Sequence, residues 1–378
     1  MKRVFFAIGV ILLLTVNIYA VDINQINDTY KEQLKESGAY ELKRSLPKET
    51  ESSLENIGID SLDWREFSNI TPEKIFAEVL AITKERAPTP LRAITTVIAI
   101  MLLCALIDSL KLSFGDRPLG GIIGAISTLC ISACIITPIV ECISRTAGVI
   151  KSASVFMLCY IPVITGVMIA GGQAVTAASY HTMMIGVGEI ISQISTGFLV
   201  PMLNIFLALS VVSSISPRLN TSSLCDMFSK TIKWILSFVM SVFVSLLAMQ
   251  NIVTTAADNT GSRAIRFAIS SFVPIVGGAL SDAFNTVQGC VKLLKSGVGA
   301  FGIIASGFIF IPIIVECLIW LITVNLCSSI GDIFELRQIS SLLRASAKVI
   351  STMISIVLCC VTILIISTVF VLVIGGGS

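Results

Sequence analysis

The sequence predicts an all-α polytopic membrane protein of about eight transmembrane helices, and three observations carry that expectation. Of 378 residues, 54% are hydrophobic and only 13% charged, where a soluble chain is about a quarter charged; the mean hydropathy is +0.92. Apolar runs long enough to cross about 30 Å of hydrocarbon, at about 1.5 Å per helical residue, recur from residue 94 onwards. One stretch punctuated by proline and glycine also occurs twice. Residues 160–201 read YIPVITGVMIAGGQAVTAASYHTMMIGVGEIISQISTGFLVP, and residues 271–312 read SFVPIVGGALSDAFNTVQGCVKLLKSGVGAFGIIASGFIFIP. Pro162 matches Pro274, the GVG of Gly186 and Gly188 matches that of Gly297 and Gly299, and Pro201 matches Pro312, at offsets of 111 or 112 residues. Ser222, Ser223, Leu224 and Lys230 then match Ser340, Ser341, Leu342 and Lys348 at an offset of 118. The spacing reads as an internal duplication.

Residues 1–20 have the build of a signal peptide. Lys2 and Arg3 precede an apolar run over 4–16, and Ile18-Tyr19-Ala20 ends on a small residue. The run is short for a span, and Asp22, Asn24 and Gln25 follow at once, which favours cleavage. An uncleaved anchor is the alternative; either places the next segment outside the cytoplasm. Residues 21–90 form a polar extracytoplasmic segment, too short to bury much of a core alone. Within it, Thr71-Pro72-Glu73 supplies a cap, a helix-starting proline and an acid in the first turn. Ile75, Phe76, Val79, Leu80 and Ile82 follow at helical spacing and stop before Ala87-Pro88-Thr89-Pro90. Short helices lying on the membrane or on a partner are expected.

The eight spans expected are 94–110, 119–142, 154–170, 194–215, 232–249, 265–280, 303–326 and 349–374. Residues 91–150 hold the first two, 151–250 the first repeat and 264–374 the second. Between them, 171–193 carries Gln173, His181 and Glu189, and 278–296 carries Asp282, Asn285, Gln288, Lys292 and Lys295. Both pieces read as amphipathic or re-entrant, at the membrane surface or along a polar interior. With three spans to a unit, the second unit is expected to be inverted relative to the first. Lys and Arg are spread evenly over alternate loops, so the positive-inside rule selects no orientation. An even number of spans after a cleaved signal returns the C-terminus to the outside.

Catalytic patterns are missing from the sequence. It has no GxxxxGK[ST], no GxSxG, and with His181 as the only histidine no HExxH. The GVG pieces lack the strand and the acid of a dinucleotide site. Neither an enzymatic activity nor a cofactor is expected, and a net charge of +2 leaves no surplus for nucleic acid. All 11 cysteines fall at Cys104 or later, outside the extracytoplasmic segment, and read as small packing residues. Cys130 and Cys134 share a helix face, with no neighbour to complete a metal set.

The informative polar groups are acids inside apolar runs. Glu141 sits in TPIVEC and Glu316 in IPIIVEC, each between a proline and a cysteine, and Glu189 follows a GVG. A carboxylate within a span is costly and faces a bundle interior, a water path or a partner; the alternative is a helix-end acid reaching the headgroups. The candidates to line a path are Glu316, Glu189, Glu141, His181, Gln173, Asp282, Asn285 and Gln288. Pro162, Pro201, Pro274 and Pro312, with Gly186, Gly188, Gly297 and Gly299, are candidate helix breaks or packing sites.

Taken in order, the signal peptide, the short polar segment and a helical membrane domain carrying PVITGVMIAGGQAV and VPIVGGALSDAFNTVQGCVKLLKSGVG resemble the stage III sporulation protein AE family of endospore-forming bacteria. The resemblance covers nearly the whole chain and is most specific over 273–299. It implies a location in the mother-cell membrane around the forespore, with the N-terminal segment extracytoplasmic. It also implies membership of a transenvelope, secretion-like channel complex needed for endospore development. The partners it implies are a cytosolic ATPase, ring-forming membrane proteins and a forespore-side protein, with this chain as the permease-like component; no catalytic residue is carried over. Two other readings stay open: a self-sufficient secondary transporter built from inverted repeats, and a non-conducting membrane scaffold.

Overall fold

The structure is a computed structural model that describes residues 34, 38–60, 62, 66–67, 69–111, 119–215, 226–250 and 277–374. Every element among the described residues is helical. Three short helices come first. α1 (Tyr40–Arg44) and α2 (Lys48–Asn56) flank Pro47, and α3 (Pro72–Arg86) begins at its proline, after an extended Thr71 with φ −96° and ψ 144°. Gly58 closes α2 at φ 91°, and the Ile59 amide donates to the Leu54 carbonyl at 2.9 Å. That left-handed stop suits glycine, which has no Cβ to clash. Leu42, Leu54, Ile57 and Ile59 are almost fully buried, partly because α2 and α3 rest on the long helix α9. The expected stripe on α3 divides: Ile82 is buried, whereas Ile75, Phe76 and Leu80 are exposed.

The membrane helices follow. α4 (Pro88–Lys111) starts one residue after α3, with Pro88 where a missing N–H costs nothing. α5 (Leu119–Ala170) runs 52 residues, through Pro138 and Pro162. α6 (Ala174–Ser192) leads through a π-helical segment (Gln193–Leu199) into α7 (Val200–Ile215). Asp226–Gln250 is α8, and α9 (Gly277–Ile333) and α10 (Arg337–Ile374) complete the bundle. Six helical stretches among the described residues are long and apolar enough to cross a membrane: Pro88–Ile107, Thr128–Ala170, Ala174–Val212, Asp226–Gln250, Val291–Ile333 and Arg337–Leu372.

Six stand among the described residues where eight were expected; of the two others, 265–280 falls almost wholly outside the described residues, and one reflects what breaks a helix. The runs 119–142 and 154–170 are parts of one helix, α5. The piece 171–193, expected to be re-entrant, is a turn at Gly172 (φ 80°) followed by α6, continuous with α7. The piece 278–296 is the first part of α9. Small residues and isolated prolines do not interrupt a helix whose backbone has no other way to satisfy its hydrogen bonds in an apolar setting. Pro162 and Pro312 lie inside helices, and Pro201 is the second residue of α7, directly after the π segment. A widened turn of this kind is a common way to seat a proline in a helical run. Pro274 and most of 265–280 lie outside the described residues.

The directions of the helices follow from their contacts. α9 and α10 form an antiparallel hairpin: a Cβ on Gly331 would meet Ser340, and one on Gly302 would meet Thr368. Its turn passes through Glu335 at φ 56°, with the Leu336 amide bonded to the Gly331 carbonyl at 2.9 Å. α6 also opposes α10, since Tyr180 donates to the Ser367 carbonyl while Ser195, beyond it, meets Cys360. α8 runs parallel to α10, pairing Asp226 with Lys348, Ser229 with Thr352 and Leu236 with Cys359. The run α6–α7 therefore points the same way as its repeat counterpart α9, and α8 the same way as its counterpart α10. This corrects the expectation of an inverted pair: the matched helices are co-directional.

Candidate functional site

α5 and α9 lie antiparallel, and the twin motifs TPIVEC and IPIIVEC pack against each other where they cross. The Cys142 and Cys317 sulfurs are 3.7 Å apart, both buried. One residue along, Glu316 is 3% exposed. Its Oε1 accepts from Arg145 Nη2 at 2.5 Å, and its Oε2 lies 3.8 Å from Arg86 Nη1. Arg86, the last residue of α3, donates through Nη2 to Glu49 Oε1 on α2 at 2.5 Å. Two carboxylates and two guanidiniums thus alternate from the N-terminal helices into the membrane bundle. A carboxylate this deep is held by that pairing, because an unpaired charge there would cost several kcal/mol, on the order of the penalty for any buried ion. Burial works against the charge on Arg86, but the bond it donates to Glu49 and the nearby Glu316 outweigh it and hold its pKa above the usual arginine value.

A cavity of about 270 Å³ opens beside this chain of charges. Glu49, Thr50, Arg86, Arg145, Ser152 and Glu316 supply its polar lining, and Ile309, Pro312 and Ile313 of α9 an apolar wall. The Glu49 and Arg145 side chains are each 45% exposed, so the cavity is reached from outside.

The charge cluster divides the two longest helices. From Arg145 back to Thr128, and from Glu316 on to Ile333, about 26 Å of helix lies on one side, close to one hydrocarbon thickness. The remaining 25 or so residues of each span extend about 38 Å the other way. Near the far end of that longer side, Lys295, 7% exposed, donates to Gln173 Oε1 at 3.1 Å.

The other expected site residues do not converge on Glu316. Glu141 is exposed, one helix position from Cys142. Glu189 is exposed and accepts from Gln193 on its own helical run, at 3.0 Å. His181 is half-buried, with Nδ1 at 3.5 Å from Thr165 Oγ1. Asp282, Asn285 and Gln288 lie on α9, with side chains outside those described. Among the glycines, Gly299 and Gly302 are packing sites: a Cβ on Gly299 would strike Leu372, and one on Gly302 would lie 2.6 Å from the Tyr160 ring. Gly297 is buried beside them. Gly186 and Gly188 face open space.

Sequence reasoning singled out Glu316 but not its partners. Arg145 read as a loop charge because its helix was expected to end at residue 142. Arg86 read as the end of a surface helix. The available signal was the twin motif itself, which places one carboxylate at a buried helix crossing that only a cation from another segment could match.

The family model described as stage III sporulation protein AE matches residues 63–376. The stage III sporulation protein AE of Bacillus subtilis (strain 168) is 22% identical over 260 residues, which are 68% of this chain. The match spans 63% of that relative's length. No solved structure matches the chain.

Proposed function

Because the chain belongs to the stage III sporulation protein AE family, we propose that it is the polytopic, permease-like subunit of a transenvelope complex linking mother cell and forespore. In this reading it sits in the mother-cell membrane around the forespore, with α1–α3 on the extracytoplasmic side. A cytosolic ATPase, ring-forming membrane proteins and a forespore-side protein are its partners, and the protein itself performs no chemistry. The observation that carries the reading is the junction Glu49–Arg86–Glu316–Arg145. It fastens a polar module to two helices that are each longer than one bilayer needs. That module leaves Phe76 70% exposed, available to a protein partner.

The test is sporulation of cells carrying Glu316→Gln or Arg145→Gln. A fall in spore yield with the protein inserted and present at normal level supports the reading; normal yield from both variants refutes it. The cavity at the junction favours one second reading, a secondary transporter that works alone. Gradient-driven solute flux by the purified protein in liposomes separates the two.

A further inference from the structure

The cavity where α2, α3, α5 and α9 meet carries more hydrogen-bond donors than its own carboxylates use. Arg86 and Arg145 together present ten N–H donors. Glu49 takes one bond from Arg86, and Glu316 takes one from Arg145; the remaining Arg86–Glu316 separation of 3.8 Å is too long for a third. Arg86 Nε is buried and donates to no atom among the described residues. Protein atoms seal that N–H, so an acceptor oxygen in the cavity meets the unused terminal Nη groups of Arg86 and Arg145. A bare anion would be opposed, however, because the two carboxylates in the lining bring the four charged groups to zero net charge. The group that satisfies both conditions carries its own compensating cation.

We propose that this cavity binds a small zwitterion, an oxyanion with an ammonium group a few bonds away. The oxyanion meets the unused terminal Nη donors of Arg86 and Arg145, and the ammonium meets Glu49, whose second oxygen is unpaired among the described residues, with Thr50 and Ser152 beside it. The volume of about 270 Å³ accommodates several water-sized groups, and the α9 wall of Ile309, Pro312 and Ile313 takes a short apolar substituent. Two sources present this chemistry: a free α-amino acid, and the phosphoethanolamine headgroup of a lipid. The proposal stands on the cavity alone and does not depend on the sporulation complex.

The test is equilibrium binding to the full chain, purified and delipidated in a maltoside detergent. The probes are radiolabelled L-alanine, radiolabelled glycerophosphoethanolamine, and the half-ligands acetate and ethylammonium as competitors. Saturable binding of one zwitterion near one per chain is expected, with the half-ligands at least about tenfold weaker, a difference near 1.4 kcal/mol. Alanine alone saturating assigns a soluble amino acid; glycerophosphoethanolamine alone assigns a lipid headgroup. Glu49→Gln is expected to weaken binding about tenfold or more. Gly148→Val, placed where an added side chain enters open space at the cavity edge and no charge is touched, is expected to abolish it. No saturable binding of either zwitterion, acetate binding as tightly as alanine, or full binding by both variants overturns the proposal.

Discussion

Glu316→Gln isolates the charge that joins the N-terminal helices to the bundle. The substitution keeps the shape and removes the negative charge that faces Arg145 at 2.5 Å and Arg86 at 3.8 Å. Removing one partner of a fully buried pair costs about 3–5 kcal/mol. Here the carboxylate is 5% exposed, but Arg145 is 45% and Arg86 21% exposed, so solvent takes back part of the loss. A cost of about 2 kcal/mol is therefore expected. If that cost falls on the docking of α2 and α3, their open population rises about 30-fold, since 1.4 kcal/mol is a factor of ten. Hydrogen exchange followed by mass spectrometry reads this directly, because exchange of protected amides tracks local opening. Peptides from Lys48–Asn56 and Pro72–Arg86 should exchange about 30-fold faster in the variant, and peptides from α10 should not change. Glu141→Gln, at an exposed acid in the sister motif, is the matched control. Unchanged exchange in α2 and α3, or the same acceleration from Glu141→Gln, would refute the assignment of Glu316 as the anchor.

The remaining predictions address register, packing and topology. With every other cysteine replaced, oxidation by copper phenanthroline should join Cys142 to Cys317 within one chain, as their 3.7 Å sulfur separation requires; no crosslink after cleavage between α5 and α9 would sink the crossing. Gly302→Ala should cost about 1–3 kcal/mol by overpacking against Tyr160 and Thr368, whereas Gly186→Ala should be neutral or slightly stabilising; thermal unfolding in detergent compares them, and equal effects would contradict the packing. Glu335→Gly should raise stability by up to about 1 kcal/mol, because Glu335 sits at φ 56° on an exposed turn; a lower melting temperature would contradict it. Reporters fused after Lys111 and after Phe334 should land on one side of the membrane and a reporter at Gln173 on the other, from the alternating directions of α4, α5 and α9. Lys111 and Phe334 on opposite sides would refute that order.

Legibility differed sharply between elements. Pro72 at the start of α3 and the apolar runs of α4, α8 and α10 were readable, because a helix start and a membrane-length run are local properties. Glu316 stood out for the same reason: its cost in an apolar run does not depend on the fold. The ends of the long helices were not readable. Pro162 and Gly186 carry the marks of a break, yet both lie inside helices. Whether such a residue breaks a helix depends on what surrounds its freed backbone groups, and the neighbouring helices supply that. This is why 119–142 and 154–170 were expected as two spans and form one helix, α5.

By itself, then, the sequence determined that this is a helical membrane protein of the sporulation family with a polar N-terminal module and one costly carboxylate. Composition, hydropathy and motif spacing act within a single segment, so they survive without coordinates. Only the tertiary structure decided that α6–α7 and α9 run in one direction, that TPIVEC meets IPIIVEC, and that Arg86 and Arg145 converge on Glu316 from two other helices. Partners more than 170 residues apart in the chain become neighbours only when a bundle forms. The free energy of burying a charge, which the sequence could flag, is offset by residues that only the packing could choose.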